Sequence, residues 1–367
     1  RPMPVDGVDF FGDLGLPGPD RGEGGTFLIA PPGWDGEVPE DHWVYRSSTN
    51  NVFIFLRSFY ADPADTSPAV DILKRSVIYP LGGKAEAKPM EFPDGSGMEI
   101  DMLPRRDVEA FEQLKTIVDD EGANLAGPDW LGMLAGLGIA QGRDFAPDEE
   151  TRAILDAAAE TAYRTSRVIG MKPSLHGADF RVYEDRRWLN PVNNLDARWP
   201  DTPIGLGFET RGGTGYRALD TRAWFFTDYY SISPGMVSMT PGKGAYYMIA
   251  FEDAEGAPLS GDESYTLNLP ADIPAELFWS VTLYEAENAS GLDNGQPFPS
   301  LGTLDRPEQA EDGSTTLHLS PTPPEGAETN WLATAPGRGF FAILRLYLPG
   351  EAAIDGSWKP GDIVKSQ

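Results

Sequence analysis

Between about Pro241 and Pro349 the chain breaks into short apolar and aromatic runs parted by turn-forming residues. Ala245 to Phe251, Tyr265 to Leu269, Phe278 to Tyr284, Thr315 to Leu319 and Phe340 to Leu348 are the clearest runs. Ala254-Glu255-Gly256, Asp293-Asn294-Gly295, Asp312-Gly313 and Pro336-Gly337 separate them with residues that suit chain reversal. Spaced strands with few helical signals between them predict an antiparallel β-sandwich.

Upstream the pattern is mixed. Residues 1–24 are rich in Gly, Pro and Asp and read as an irregular lead-in. Phe27 to Ala30, His42 to Arg46 and Asn51 to Phe59 read as strands, the last apolar on both faces. Helical signals then take over. Asp107 is placed to cap a segment in which Val108, Phe111, Leu114 and Ile117 recur at helical spacing. Pro128 opens a second helix, whose Gly132 and Gly136 weaken it on propensity. Pro147 and Asp148 open the longest one, with Gly170 as its expected stop. Asp179 to Tyr183 and Arg222 to Tyr230 return to extended, aromatic sequence. The fold class is therefore α+β: a β-rich N-terminal domain with a helical insertion, followed by the sandwich. At 367 residues the length suits two domains.

Charge narrows the function. Asp and Glu total 57 against 29 Lys and Arg, a formal net charge of −28. A nucleic-acid binder draws its affinity from cations on phosphates, so nucleic acid is excluded as a partner. Docking on an anionic membrane surface is disfavoured on the same ground. From Phe251 to Asn330 there are sixteen acidic residues and a single basic one, Arg306. A solvated acidic surface accounts for this; a face that attracts cations or a basic partner is the sharper alternative. No apolar run approaches the roughly 18–20 residues of a membrane helix, so no integral membrane segment is expected. With no cysteine, thiolate metal sites and Cys nucleophiles are impossible.

The familiar catalytic signatures fail in turn. Ser96, flanked directly by Gly95 and Gly97, lacks the spacing of a nucleophile elbow. Pro241-Gly242-Lys243-Gly244 reads as a turn, not a phosphate loop. His42, His176 and His318 are scattered singly, and the acidic turns lack the terminal Glu of a calcium loop. No metal and no cofactor are predicted, and no catalytic residue is assigned.

Two stretches could line a ligand site. Asp220 and Arg222 lie two apart and share a face in a strand, running into Trp224 through Tyr230. Arg beside aromatic rings suits a carboxylate or a planar group; an Arg–Asp pair under an aromatic core is the structural alternative. Arg186-Arg187-Trp188-Leu189-Asn190 carries two cations, an indole and an amide, again with a structural alternative. Arg222, Asp220, Tyr229, Tyr230 and Trp188 are thus the candidate substrate-binding residues.

Longer motifs run along the chain. They begin with Gly18-Pro19-Asp20-Arg21-Gly22, Pro31-Pro32-Gly33-Trp34-Asp35 and Ile78-Tyr79-Pro80-Leu81. They are densest in Phe278-Trp279-Ser280-Val281-Thr282-Leu283-Tyr284, Gln296-Pro297-Phe298-Pro299, Asn330-Trp331 and Leu344-Arg345-Leu346-Tyr347, and end with Trp358-Lys359-Pro360-Gly361. Together they resemble bacterial proteins that pair domain of unknown function 1254 with domain of unknown function 1214. The resemblance implies a 1254-type mixed α and β domain over residues 1–235, with its helical insertion at about 105–170. It implies a 1214-type β-sandwich over 236–367. It also implies a periplasmic or secreted location and an upstream strand-rich segment that this chain starts without. One departure is Ser48, where the family pattern has Pro. The expected function is that of an envelope hydrolase acting on a small or oligomeric organic substrate in a cleft between the domains. The alternative is a non-catalytic module that binds a glycan or a protein.

Overall fold

The structure is a computed structural model that describes residues 25–47, 49–52, 54, 65–95, 97–122, 127–171, 181–190, 241–242 and 244–366. It is an α+β fold, with its helical segment in the N-terminal half and antiparallel sheets in the C-terminal region.

In the N-terminal half, β1 (Thr26–Ala30) and β2 (His42–Arg46) pair in parallel, Thr26 opposite His42. Helices follow: α1 (Ser67–Lys74), α2 (Glu109–Glu121), α3 (Pro128–Gly136) and α4 (Glu149–Met171). Asp148 acts at the start of α4 as expected, its carboxylate accepting from the Thr151 amide at 2.8 Å. The cap of α2 is Val108, and Asp107 stands one residue before it, its carboxylate accepting from the Glu109 amide at 3.0 Å. Gly170 does not stop α4; it is buried within the helix. At the end of α2 the buried Glu121 carboxylate accepts from the backbone amides of Asn50 and Asn51, at 2.6 and 2.8 Å. Asn51 Nδ2 adds a third bond at 3.0 Å. The strand expected from Asn51 to Phe59 falls mostly outside the described residues.

The sandwich consists of β3 (Ala245–Ala250), β4 (Tyr265–Leu269), β5 (Ala275–Glu285), β6 (Ser300–Gly302), β7 (Thr315–Ser320), β8 (Trp331–Ala333), β9 (Phe340–Pro349) and, after the short helix α5 (Glu351–Ile354), β10 (Ile363–Lys365). One sheet has the order β3-β9-β5-β6 and the other β10-β4-β7-β8, antiparallel apart from the β7–β8 pair. Strict alternation builds the interior. Trp279, Val281 and Leu283 of β5, with Leu344 and Leu346 of β9, face Leu267, Leu269, Leu317 and Leu319 of the second sheet. Each such fully buried side chain is worth roughly 1.5–3 kcal/mol relative to exposure.

The outer face of the first sheet is covered in part. Phe341, Ile343, Ile249 and Phe251 pack against Ile169 of α4, Leu103 and Leu189. Arg167 of α4 is buried there, and its Nη2 donates to the Ala286 carbonyl at 2.9 Å. The helical segment thus docks on the β3–β9 half of the sheet and on the turn after β5. Among the described residues no helix is long and apolar enough to cross a membrane.

Candidate functional site

β9 lies between β3 and β5, and its side chains alternate between the sandwich interior and the outer face. Leu344 and Leu346 turn inward, so Arg345 and Tyr347 turn outward. In register, Arg345 stands between Tyr247 of β3 and Ser280 of β5, with Gly302 of β6 beyond Ser280. The next row holds Ile249, Ile343, Thr282 and Ser300; the row on the other side holds Ala245, Tyr347 and Phe278.

Arg345 is only 9% exposed. Its Nη2 donates to the Tyr284 hydroxyl at 2.5 Å. The guanidinium carbon lies 4.7 Å from the ring centre of Tyr247 and 5.4 Å from that of Tyr284. Tyr247 and Tyr347 join hydroxyls at 3.2 Å, and Phe278 stacks on Tyr347 with ring centres 3.9 Å apart. Among the described residues no carboxylate pairs with Arg345, and the bond to Tyr284 is its one side-chain hydrogen bond.

Burial opposes the charge on Arg345, but the oxygens of Tyr284, Tyr247 and Tyr347 outweigh it and hold the guanidinium above its ordinary value. The group stays a cation. A buried cation without an anion is costly, and ring faces offset only part of that cost. A guanidinium also presents five donors in a planar fork that matches a carboxylate in two-point fashion. The arrangement is thus chemically suited to receive a planar anion.

The β5–β6 side of this face has low relief. Ser280, Thr282 and Ser300 are half-buried, and Thr282 and Ser300 join hydroxyls at 2.9 Å. Gly302 adds no side chain beside Ser280; a Cβ there would come within 2.1 Å of the Trp279 carbonyl oxygen. Half-buried Phe278, Tyr347 and Tyr284 stand around these small residues.

A separate cavity of about 380 Å³ opens near α5, with Tyr183, Tyr246, Asp185 and Lys359 among its lining. Its groups are already committed to one another. Lys359 pairs with Asp185 at 2.9 Å and sits 5.4 Å from the Tyr183 ring centre. Tyr183 donates to the Trp358 carbonyl at 3.3 Å, and burial pushes its phenol up to about 12.

Of the sequence-derived candidates, Arg222, Asp220, Tyr229 and Tyr230 lie outside the described residues. Trp188 is fully buried in the sandwich core, where its indole N–H donates to the Gly361 carbonyl at 2.8 Å. Its neighbours are structural as well. Arg186 Nε donates to Pro360 at 3.2 Å, the Arg187 amide to Asp362 at 2.7 Å, and Asn190 Nδ2 to Tyr247 at 3.0 Å. Leu189 forms a bridge with Ile249 of β3. The segment therefore clips residues 181–190 to the sandwich. Arg345 was not among the sequence candidates, although Leu344-Arg345-Leu346-Tyr347 places an arginine at an outward position of an otherwise apolar strand.

Comparison with known proteins agrees with the motifs. The family model described as protein of unknown function DUF1254 matches residues 3–80, and that of DUF1214 matches residues 244–351. Comparison with curated proteins finds no match. Among solved structures, the VPA0106 protein of Vibrio parahaemolyticus is similar at 19% identity and a TM-score of 0.47, over 94% of this chain and 76% of that one. An uncharacterised protein of Burkholderia cenocepacia is similar at 21% identity and a TM-score of 0.28, over 39% of this chain and 33% of that one. The chain pairs an N-terminal DUF1254 region with a C-terminal DUF1214 region.

Proposed function

We propose that this protein is a binding module for a small organic anion, whose carboxylate is received by Arg345. The observation that carries the reading is a nearly buried guanidinium, held by Tyr284 and the face of Tyr247, with no carboxylate on it among the described residues. A charge retained at such a cost, where an apolar residue would pack, is a mark of function. The hydrolytic reading lines its cleft with Arg222, Tyr229, Tyr230 and Trp188, with Asp220 orienting Arg222, and the geometry around Arg345 supports binding more directly. A periplasmic or secreted location belongs to the same proposal. It is supported by the family resemblance and is tested by fractionating cells that express the full-length protein.

The test is a thermal-shift and calorimetric screen of small carboxylates against the wild-type chain and Arg345→Met. Wild type is expected to bind at least one carboxylate, and the variant to bind none. In the absence of ligand, Arg345→Met is expected to be neutral or more stable by up to about 1–4 kcal/mol, because a buried charge is removed. A variant that binds as wild type does would overturn the proposal. So would turnover of a bound ester or glycoside, which would restore the hydrolase reading.

A further inference from the structure

We propose that the anion received by Arg345 is a sugar acid, a ring that carries both a carboxylate and several hydroxyls; this rests on the carboxylate reading above. The inference comes from what surrounds the guanidinium. On one side of Arg345 the sheet offers a stacked aromatic pair, Phe278 on Tyr347. On the β5–β6 side it offers Ser280, in register with Arg345, and then the joined hydroxyls of Thr282 and Ser300. Adjacent strands lie about 4.8 Å apart and alternate outward residues along a strand roughly 7 Å apart. A pyranose ring of that size lying over Ser280 reaches Arg345 with its carboxylate and the Thr282–Ser300 pair with its hydroxyls.

Each surface matches one part of such a ligand. The fork of Arg345 fits a carboxylate. Serine and threonine hydroxyls both donate and accept, as sugar hydroxyls require. The aromatic faces offer a flat apolar wall for C–H groups of the ring. An apolar acid would use the first and third surfaces and leave the serine and threonine hydroxyls facing carbon. A neutral sugar would use the second and third and leave Arg345 without its anion.

The full chain is titrated by calorimetry with D-glucuronate, cyclohexanecarboxylate and D-glucose. D-Glucuronate is expected to bind about tenfold or more tightly than cyclohexanecarboxylate, since a site built around hydroxyls rejects a ligand that lacks them. D-Glucose is expected not to bind measurably. The double variant Ser280→Ala/Thr282→Val, checked for an unchanged melting temperature, should bring D-glucuronate down to the affinity of cyclohexanecarboxylate and leave the latter unchanged. Equal binding of the two acids to wild type overturns the sugar-acid assignment and leaves the carboxylate reading standing. Binding of D-glucose as tight as that of D-glucuronate overturns both, and failure of D-glucuronate to bind overturns the sugar-acid assignment.

Discussion

Trp188 shows how much one side chain can fix. Its indole is fully buried and its N–H is the donor to the Gly361 carbonyl, so it joins the segment before β3 to the segment before β10. Trp188→Phe keeps most of the apolar volume and leaves that carbonyl without its donor. The expected loss is about 1–3 kcal/mol, read as a lower urea midpoint at an unchanged slope. Arg345 is the opposite case, a residue whose removal should spare stability and cost binding. Sequence reasoning named Trp188 as a ligand contact and passed over Arg345. Composition ranks an arginine–aromatic cluster by proximity along the chain, whereas Arg345 meets Tyr247 and Tyr284 only across strand register. The legible signal was the alternation in Leu344-Arg345-Leu346-Tyr347, which sends the two polar residues to one face.

At the level of elements, the strands of the sandwich were readable because their pattern and their turns agree. Phe340 to Leu348 was expected and Phe340–Pro349 is found; Tyr265 to Leu269 coincides with β4. The short β6, β8 and β10 were missed, since three residues carry too little periodicity to register. Their pairing comes from neighbouring strands. The clip between α2 and the turn after β2 is equally non-local and rests on Glu121. Burial raises the affinity of this carboxyl for a proton, but the bonds from the Asn50 and Asn51 amides and Asn51 Nδ2 together exceed that effect and hold it below its ordinary value of 4.5. A depressed folded value means that the stabilisation is complete above the unfolded value and is lost as pH falls through the folded one. Glu121→Gln should therefore lower stability at neutral pH. It should also flatten the decline on acidification below about pH 4.5, as measured by urea midpoints across pH. Coincident curves for wild type and variant would show that the clip contributes nothing.

The whole molecule carries −28, with sixteen acidic residues and one basic residue between Phe251 and Asn330. That stretch includes β5, which flanks Arg345 on β9, and β6 beyond it. The proposed anion site is thus a single cation set in a domain of the opposite sign. Complementary charge usually speeds the encounter of a ligand with its site, and a field of the ligand's own sign slows it. The local and the long-range fields here act in opposite directions. At the roughly 10 Å screening length of 0.1 M salt the distant acids fade while the contact at Arg345 persists, and at about 0.01 M they do not. Stopped-flow association of D-glucuronate should consequently become faster as sodium chloride is raised, with the dissociation rate nearly constant. An association rate that falls with salt would mean that the local guanidinium governs approach as well as capture. On the proposed reading, Arg345 would act as a filter on ionic surroundings, admitting an acid most readily where the medium is saline.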